Sequence, residues 1–201
     1  RDKMRNIVIS PSNLYTIMKK ITFLLLLSVS ISFNLSAQNP ESSKITLPNG
    51  WSLSPAGHGY LLGDLPLNMA VSSSKKLMAV TNNGQSTQSI QLIDVASGKI
   101  LDNIKVAKSW VGLKFTADEK ALYASGGNDN WIIKYAIKNN KLFLQDTLKL
   151  GKKWPEKISP AGIDIDDKRN LLYTVTKENN SLYVLDLKTK KTVGKYQLDC
   201  E

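Results

Sequence analysis

In this chain of 201 residues, 27 lysines and arginines against 17 aspartates and glutamates give a formal net charge of +10, with one histidine and one cysteine. The lone Cys200 excludes an internal disulfide and an internal cysteine–zinc cluster, and the single His58, in the turn Pro55-Ala56-Gly57-His58-Gly59, has no second histidine with which to build a zinc or copper site. The basic residues sit singly or in pairs at turns, as in Lys75-Lys76 and Lys190-Lys191, without the tract or basic helix of a nucleic-acid surface, so no nucleic-acid partner is expected.

Residues 1–17 precede a better initiator, Met18-Lys19-Lys20, and read as an over-extended or unstructured N-terminus. Lys19-Lys20, the apolar run Ile21 to Val29 and the small-residue site Leu35-Ser36-Ala37 are the three parts of a secretory signal peptide over residues 18–37. That apolar core is too short for a membrane span, which needs about 20 residues, so no membrane partner is expected after cleavage. Removing residues 1–37 takes away five basic groups (Arg1, Lys3, Arg5, Lys19, Lys20) and Asp2, and lowers the net charge from +10 to +6. Export without disulfides implies a periplasmic or secreted protein of bacterial type.

Residues 38–50 are polar and proline-containing and read as a leader; residues 51–201 read as one all-β domain. Within it one pattern of apolar strand, charged turn and second apolar strand begins at Val71, recurs at Phe115 after 44 residues and again at Ile165 after 50. Around it the alternation predicts four strands per unit. These are Asn68 to Ser72, Leu77 to Asn82, Ser89 to Val95 and Ile100 to Val106, then Val111 to Thr116, Ala121 to Ser125, Trp131 to Ile137 and Leu142 to Leu150, and finally Gly162 to Asp166, Leu171 to Thr176, Ser181 to Leu187 and Thr192 to Leu198. Repeats of 40 to 50 residues with four strands each specify β-propeller blades. The expected fold is therefore a partial β-propeller of three blades, at about 64–107, 108–151 and 152–198, with Tyr60 to Gly63 as a leading strand of the kind that closes a ring. Three blades fall short of the four to eight of a closed ring, so further C-terminal blades are expected beyond Glu201.

No catalytic constellation or cofactor motif stands out, and the chain reads as non-catalytic. Asp164, Asp166 and Asp167 lack the glycine and distal glutamate of a calcium loop. Gly126-Gly127-Asn128-Asp129-Asn130 leads into a strand rather than a helix, so it is a tight turn and not a phosphate cradle. Asp94 and Asp186, at matching repeat positions, read as hydrogen-bonding staples of the turns that follow them. The candidate site is topological: in strands of alternating direction, the blade-to-blade connections and the loops between second and third strands emerge on one rim. That rim would gather Trp110, Trp154, Lys108, Lys153, Asn82, Asn83, Asn128, Asp129 and Asn179. Tryptophan beside lysine suits a sugar ring, an aromatic group or an anion, and a protein partner is equally compatible.

Ala79-Val80-Thr81-Asn82 followed by Ser89 to Lys99, Tyr123-Ala124-Ser125-Gly126, Tyr173-Thr174-Val175-Thr176 and Leu182 to Leu187 resemble the repeat of YVTN-type seven-bladed propellers. The first copy has alanine for the leading tyrosine, and Ala136 stands where Asp94 and Asp186 do. Leu47 to Gly57, Gly63 to Asn68 and Asn82 to Ser89 are similar to the opening of exported two-domain proteins in which such a propeller precedes a phosphoesterase domain of the alkaline phosphatase superfamily. The resemblance implies a binding or scaffold module, or alternatively the propeller half of a metal-dependent phosphoesterase whose catalytic half is absent from this chain. A redox propeller is disfavoured by the lack of cysteine pairs and of further histidines.

Overall fold

Apolar residues at every second position, broken by turns of a few polar residues, leave the chain little choice but to fold back on itself as antiparallel hairpins. The computed structural model describes residues 45–53, 57 and 59–199, together with Lys19; the rest of the signal-peptide segment, His58 and Cys200 lie outside the described residues. Among the described residues no helix is long and apolar enough to cross a membrane. Two compact units divide at His58 and Gly59. In the first, β1 (Ile45–Thr46) and β2 (Ser52–Leu53) pair across a turn in which Gly50 takes a φ of +80°. Trp51, where the alternation first appears, lies in this hairpin.

The second unit holds three four-stranded sheets, each a meander in chain order. Blade 1 is β3 (Pro66–Val71), β4 (Leu77–Asn82), β5 (Ser89–Asp94) and β6 (Ile100–Lys105); blade 2 is β7 (Leu113–Phe115), β8 (Ala121–Ser125), β9 (Trp131–Lys138) and β10 (Lys141–Lys149); blade 3 is β11 (Pro160–Asp166), β12 (Leu171–Thr176), β13 (Ser181–Asp186) and β14 (Lys191–Gln197). The second strand of every blade has the bounds that the alternation predicts. The predicted leading strand is not formed: residues 60–63 carry no strand, because no strand runs beside them to complete a ladder. They lie over blade 1 instead, where the Gly63 N–H donates to Gln91 Oε1 at 3.3 Å. β7 is also shorter than predicted. It starts only after Gly112, where a Cβ would lie 2.2 Å from the Ala161 carbonyl oxygen, so only glycine lets β11 approach.

The blades stack face to face through two cores. Ala79, Ile90 and Leu92 of blade 1 pack against Leu113, Phe115, Leu122, Ala124, Ile133 and Tyr135 of blade 2. On the other side of blade 2, Tyr123, Ile132 and Leu148 pack with Ile158, Leu172, Tyr183 and Leu185. Period-two alternation explains the division, since Leu122 and Tyr123 are consecutive and point to opposite faces of one sheet. Polar links between hairpin turns repeat from blade to blade: Ser74 Oγ donates to Glu119 Oε2 (2.8 Å), and the Ala117 N–H donates to Asp167 Oδ2 (2.7 Å). Between inner strands, Lys114 Nζ lies 2.7 Å from Asp164 Oδ1. Asp164, Asp166 and Asp167 thus serve three separate partners, the second of them Arg169.

The turn staples form as the repeat predicts. Asp94 Oδ1 accepts from the N–H (2.8 Å) and hydroxyl (2.5 Å) of Ser97, and Asp186 Oδ1 accepts from the N–H groups of Lys188 (2.9 Å) and Thr189 (2.7 Å). Blade 2 has Ala136 there because its outer hairpin closes differently, through the two-residue turn Asn139-Asn140 with both φ values positive (50° and 59°). The bonds from Ser97 hold the Asp94 carboxyl below its ordinary value of 3.8, and those from Thr189 do the same for Asp186. A depressed folded-state pKa contributes stability that is complete above the ordinary carboxylate range and is lost as pH falls through the folded value. The melting temperature is therefore expected to be lower at pH 3 than at pH 6, and an Asp94→Asn/Asp186→Asn double variant should show a smaller difference by circular dichroism. An unchanged difference would remove the staples from the account.

Candidate functional site

The connections that the topology predicts on one rim do meet there, and they are tied by side-chain amides. Asn83 Nδ2 donates to the Ser109 carbonyl and, at 3.1 Å, to its hydroxyl, while Gln88 Oε1 accepts from the Ser109 N–H at 3.2 Å. These bonds fix the segment that carries Lys108 and Trp110. The Trp110 N–H donates to the Ser125 carbonyl (2.9 Å), and the half-buried indole stands over Gly127 and the short 3-10 turn Gly127–Asp129. Lys177, from blade 3, places its ammonium 5.7 Å from the Trp110 ring centroid, close enough for a cation–π contact.

Asn83, Lys108, Trp110 and Asn128 line one cleft of about 460 Å³, joined by Gln88 and Lys177. Of the nine rim residues these four converge. Lys153 and Asp129 line a neighbouring hollow of about 630 Å³ with Trp131 and Glu156; their charges are 4.0 Å apart, and the Lys153 ammonium is 4.5 Å from the Trp131 ring centroid. Trp154 is 55% exposed on the loop between blades 2 and 3, with Lys157 at 5.6 Å. It plugs no gap between blades. Asn82 is not presented to the rim at all. At 1% exposure it donates to Ser89 Oγ (3.1 Å) and Gln91 Oε1 (3.2 Å) inside blade 1, because it is the last residue of β4 and not the first of the loop. Asn179 turns back on blade 3, donating to the Tyr183 hydroxyl at 2.8 Å.

Asn130, which sequence reasoning passed over as part of a glycine-rich turn, organises the rim. It is wholly buried with φ +57°; its Nδ2 donates to the carbonyls of Lys152 and Glu156 (2.6 Å each), and its Oδ1 accepts from the Ser159 N–H (2.8 Å). The only available signal was an asparagine placed where the left-handed conformation is needed. Among the described residues no three His, Cys, Asp or Glu side chains converge as a metal site would require.

Three four-stranded meanders, stacked through continuous cores with their inner strands side by side, make the chain a partial β-propeller. No family model and no curated protein sequence matches it. Solved structures do. It is similar to Kuenenia stuttgartiensis hydrazine synthase (18% identity, 72% of this chain and 39% of that one, TM-score 0.52) and to the β-propeller domain of Cps50 (Swd1) from Myceliophteria thermophila (14%, 68% and 44%, 0.55). It is also similar to a functionally unknown protein from Desulfotomaculum acetoxidans (11%, 76% and 47%, 0.56). At these identities the likeness is one of fold, and the chain spans less than half the length of each of these structures.

Proposed function

We propose that this chain is a non-catalytic binding module whose rim cleft takes a small ligand through Trp110 and the lysines around it. The observation that carries this reading is the convergence, from all three blades, of Asn83, Lys108, Trp110, Asn128 and Lys177 on one cleft. A flat π face flanked by ammonium groups and amides favours a sugar ring or an anionic sugar derivative over an apolar ligand. The signal-peptide pattern at residues 18–37 supports a periplasmic or secreted setting, and the YVTN-like repeat supports a place among propellers of that type. The alternative, the propeller half of a phosphoesterase, rests on the similarity of residues 47–57, 63–68 and 82–89 alone; an Asp/His-rich α/β region encoded downstream of Glu201 would select it.

Binding to a panel of oligosaccharides and phosphate esters tests the cleft. Trp110→Ala is expected to weaken binding by about tenfold or more, in line with the loss of ring stacking and cation–π contact, with a modest fall in melting temperature because the indole is half-buried. Trp154→Ala should leave both measurements near wild type, since its ring lies outside the cleft. A large loss of stability in Trp110→Ala with unaltered binding would make that residue packing and retire the reading.

A further inference from the structure

A second concavity, of about 630 Å³, lies between blades 2 and 3 at the end opposite the rim, among the hairpin turns that follow β7, β9 and β11. Its size is that of a small-molecule pocket. Tyr123 lines it at 2% exposure, and the Tyr123 hydroxyl makes no hydrogen bond among the described residues. Lys134, cross-strand from Tyr123, holds its ammonium 5.5 Å from the centre of that ring. Lys120, Lys134 and Lys138 all line the cavity, and none of them makes an ion pair within 4 Å among the described residues.

The carboxylates nearby are already engaged. Asp118 Oδ1 accepts from the Thr116 hydroxyl (2.7 Å) and the Lys120 N–H (3.0 Å), Asp167 Oδ2 accepts from the Ala117 N–H (2.7 Å), and Asp146 is paired with Lys190 (2.7 Å). The cavity therefore has a surplus of donors: a phenol and three ammonium groups. Its complement is an acceptor with negative charge. The lining carries three lysines against two aspartates, so a single negative charge balances it, whereas a dianion would leave it net negative. Ala136, on the same face of β9 as Lys134, and Leu187 supply an apolar wall.

We propose that this cavity binds a small organic acid, with its carboxylate held by the Tyr123 hydroxyl and the Lys134 ammonium and its apolar body against Ala136 and Leu187. Burial, followed by the charges of Asp167 and Asp146, pushes the Tyr123 phenol up to about 12, so it is a proton donor throughout the neutral range. Hydrogen bonds to a charged group and its ammonium partner are the strong class, and each should be visible singly.

Calorimetric titration of the full chain with benzoate tests the assignment, with benzamide and inorganic phosphate as comparators. Saturable benzoate binding is expected. Tyr123→Phe, which keeps the ring, and Lys134→Gln, which keeps the stem, should each weaken it by roughly tenfold or more, while benzamide and phosphate bind at least about tenfold more weakly. Circular dichroism melts of both variants separate lost binding from lost fold, and either folded variant suffices. Absence of saturable benzoate binding, binding unaltered in the folded variants, or phosphate binding as tight as benzoate would overturn the proposal.

Discussion

Asn130→Ala is expected to lower the stability of the chain by about 3 kcal/mol or more, seen as a fall in the urea midpoint. The substitution strands the buried Ser159 N–H, which has no other partner among the described residues, at about 1 to 3 kcal/mol, and breaks two part-buried bonds to the carbonyls of Lys152 and Glu156, worth about 1 kcal/mol each. It also forces a Cβ-bearing residue without a local hydrogen-bonding side chain to hold φ +57°. Asn130→Gly separates the two causes, since glycine adopts that conformation freely but cannot bond Lys152, Glu156 and Ser159. A glycine variant close to wild type would show that conformation, and not the amide clamp, is what the rim depends on.

The exposed face of blade 3 gives a second large effect. Repeat register makes Tyr173 the counterpart of Ala79 and Tyr123, and Leu182 the counterpart of Ile90 and Ile132; all four counterparts are at most 2% exposed because the next blade covers them. On blade 3 the same face leaves Val175 at 42% and Tyr196 at 59%, with Tyr173 and Leu182 half-buried. A contiguous apolar surface of this kind, on a sheet whose last strand β14 has a free edge, drives association. The isolated chain is expected to form concentration-dependent oligomers or aggregates in size-exclusion chromatography with light scattering, and Val175→Lys/Tyr196→Lys should shift it toward monomer. A monodisperse wild-type monomer with a cooperative melt would mean that the open face is tolerated in solution.

Which features were legible in the sequence follows from how far apart the interacting residues lie. β4, β8 and β12 were readable to the residue, and β5, β9 and β13 to within one, because a strand with both neighbours in the same meander is specified by its own alternation and adjacent turns. Asp94 and Asp186 were readable because a staple acts on the next three residues. Asn82 was misplaced because the alternation does not say whether the last strand position faces the loop or the sheet, and here Ser89 and Gln91 claim it. Asn130 was missed because its partners lie 22, 26 and 29 residues downstream. The cavity beside Tyr123 was invisible for the same reason, since blade 3 supplies Asp167, Asn170 and Leu187 to a hollow that blade 2 begins.

Because each core joins only adjacent sheets, the propeller behaves as a short one-dimensional lattice with nearest-neighbour couplings. Blade 2 has a coupling on each side, whereas blades 1 and 3 have one each. In the isolated chain, opening is therefore expected to begin at an end sheet, as when blade 3 detaches as a unit while the core between blades 1 and 2 persists. The rim cleft and the cavity beside Tyr123 both draw residues from blade 3, so a ligand in either one would hold that blade against blade 2 and extend the cooperative length of the array.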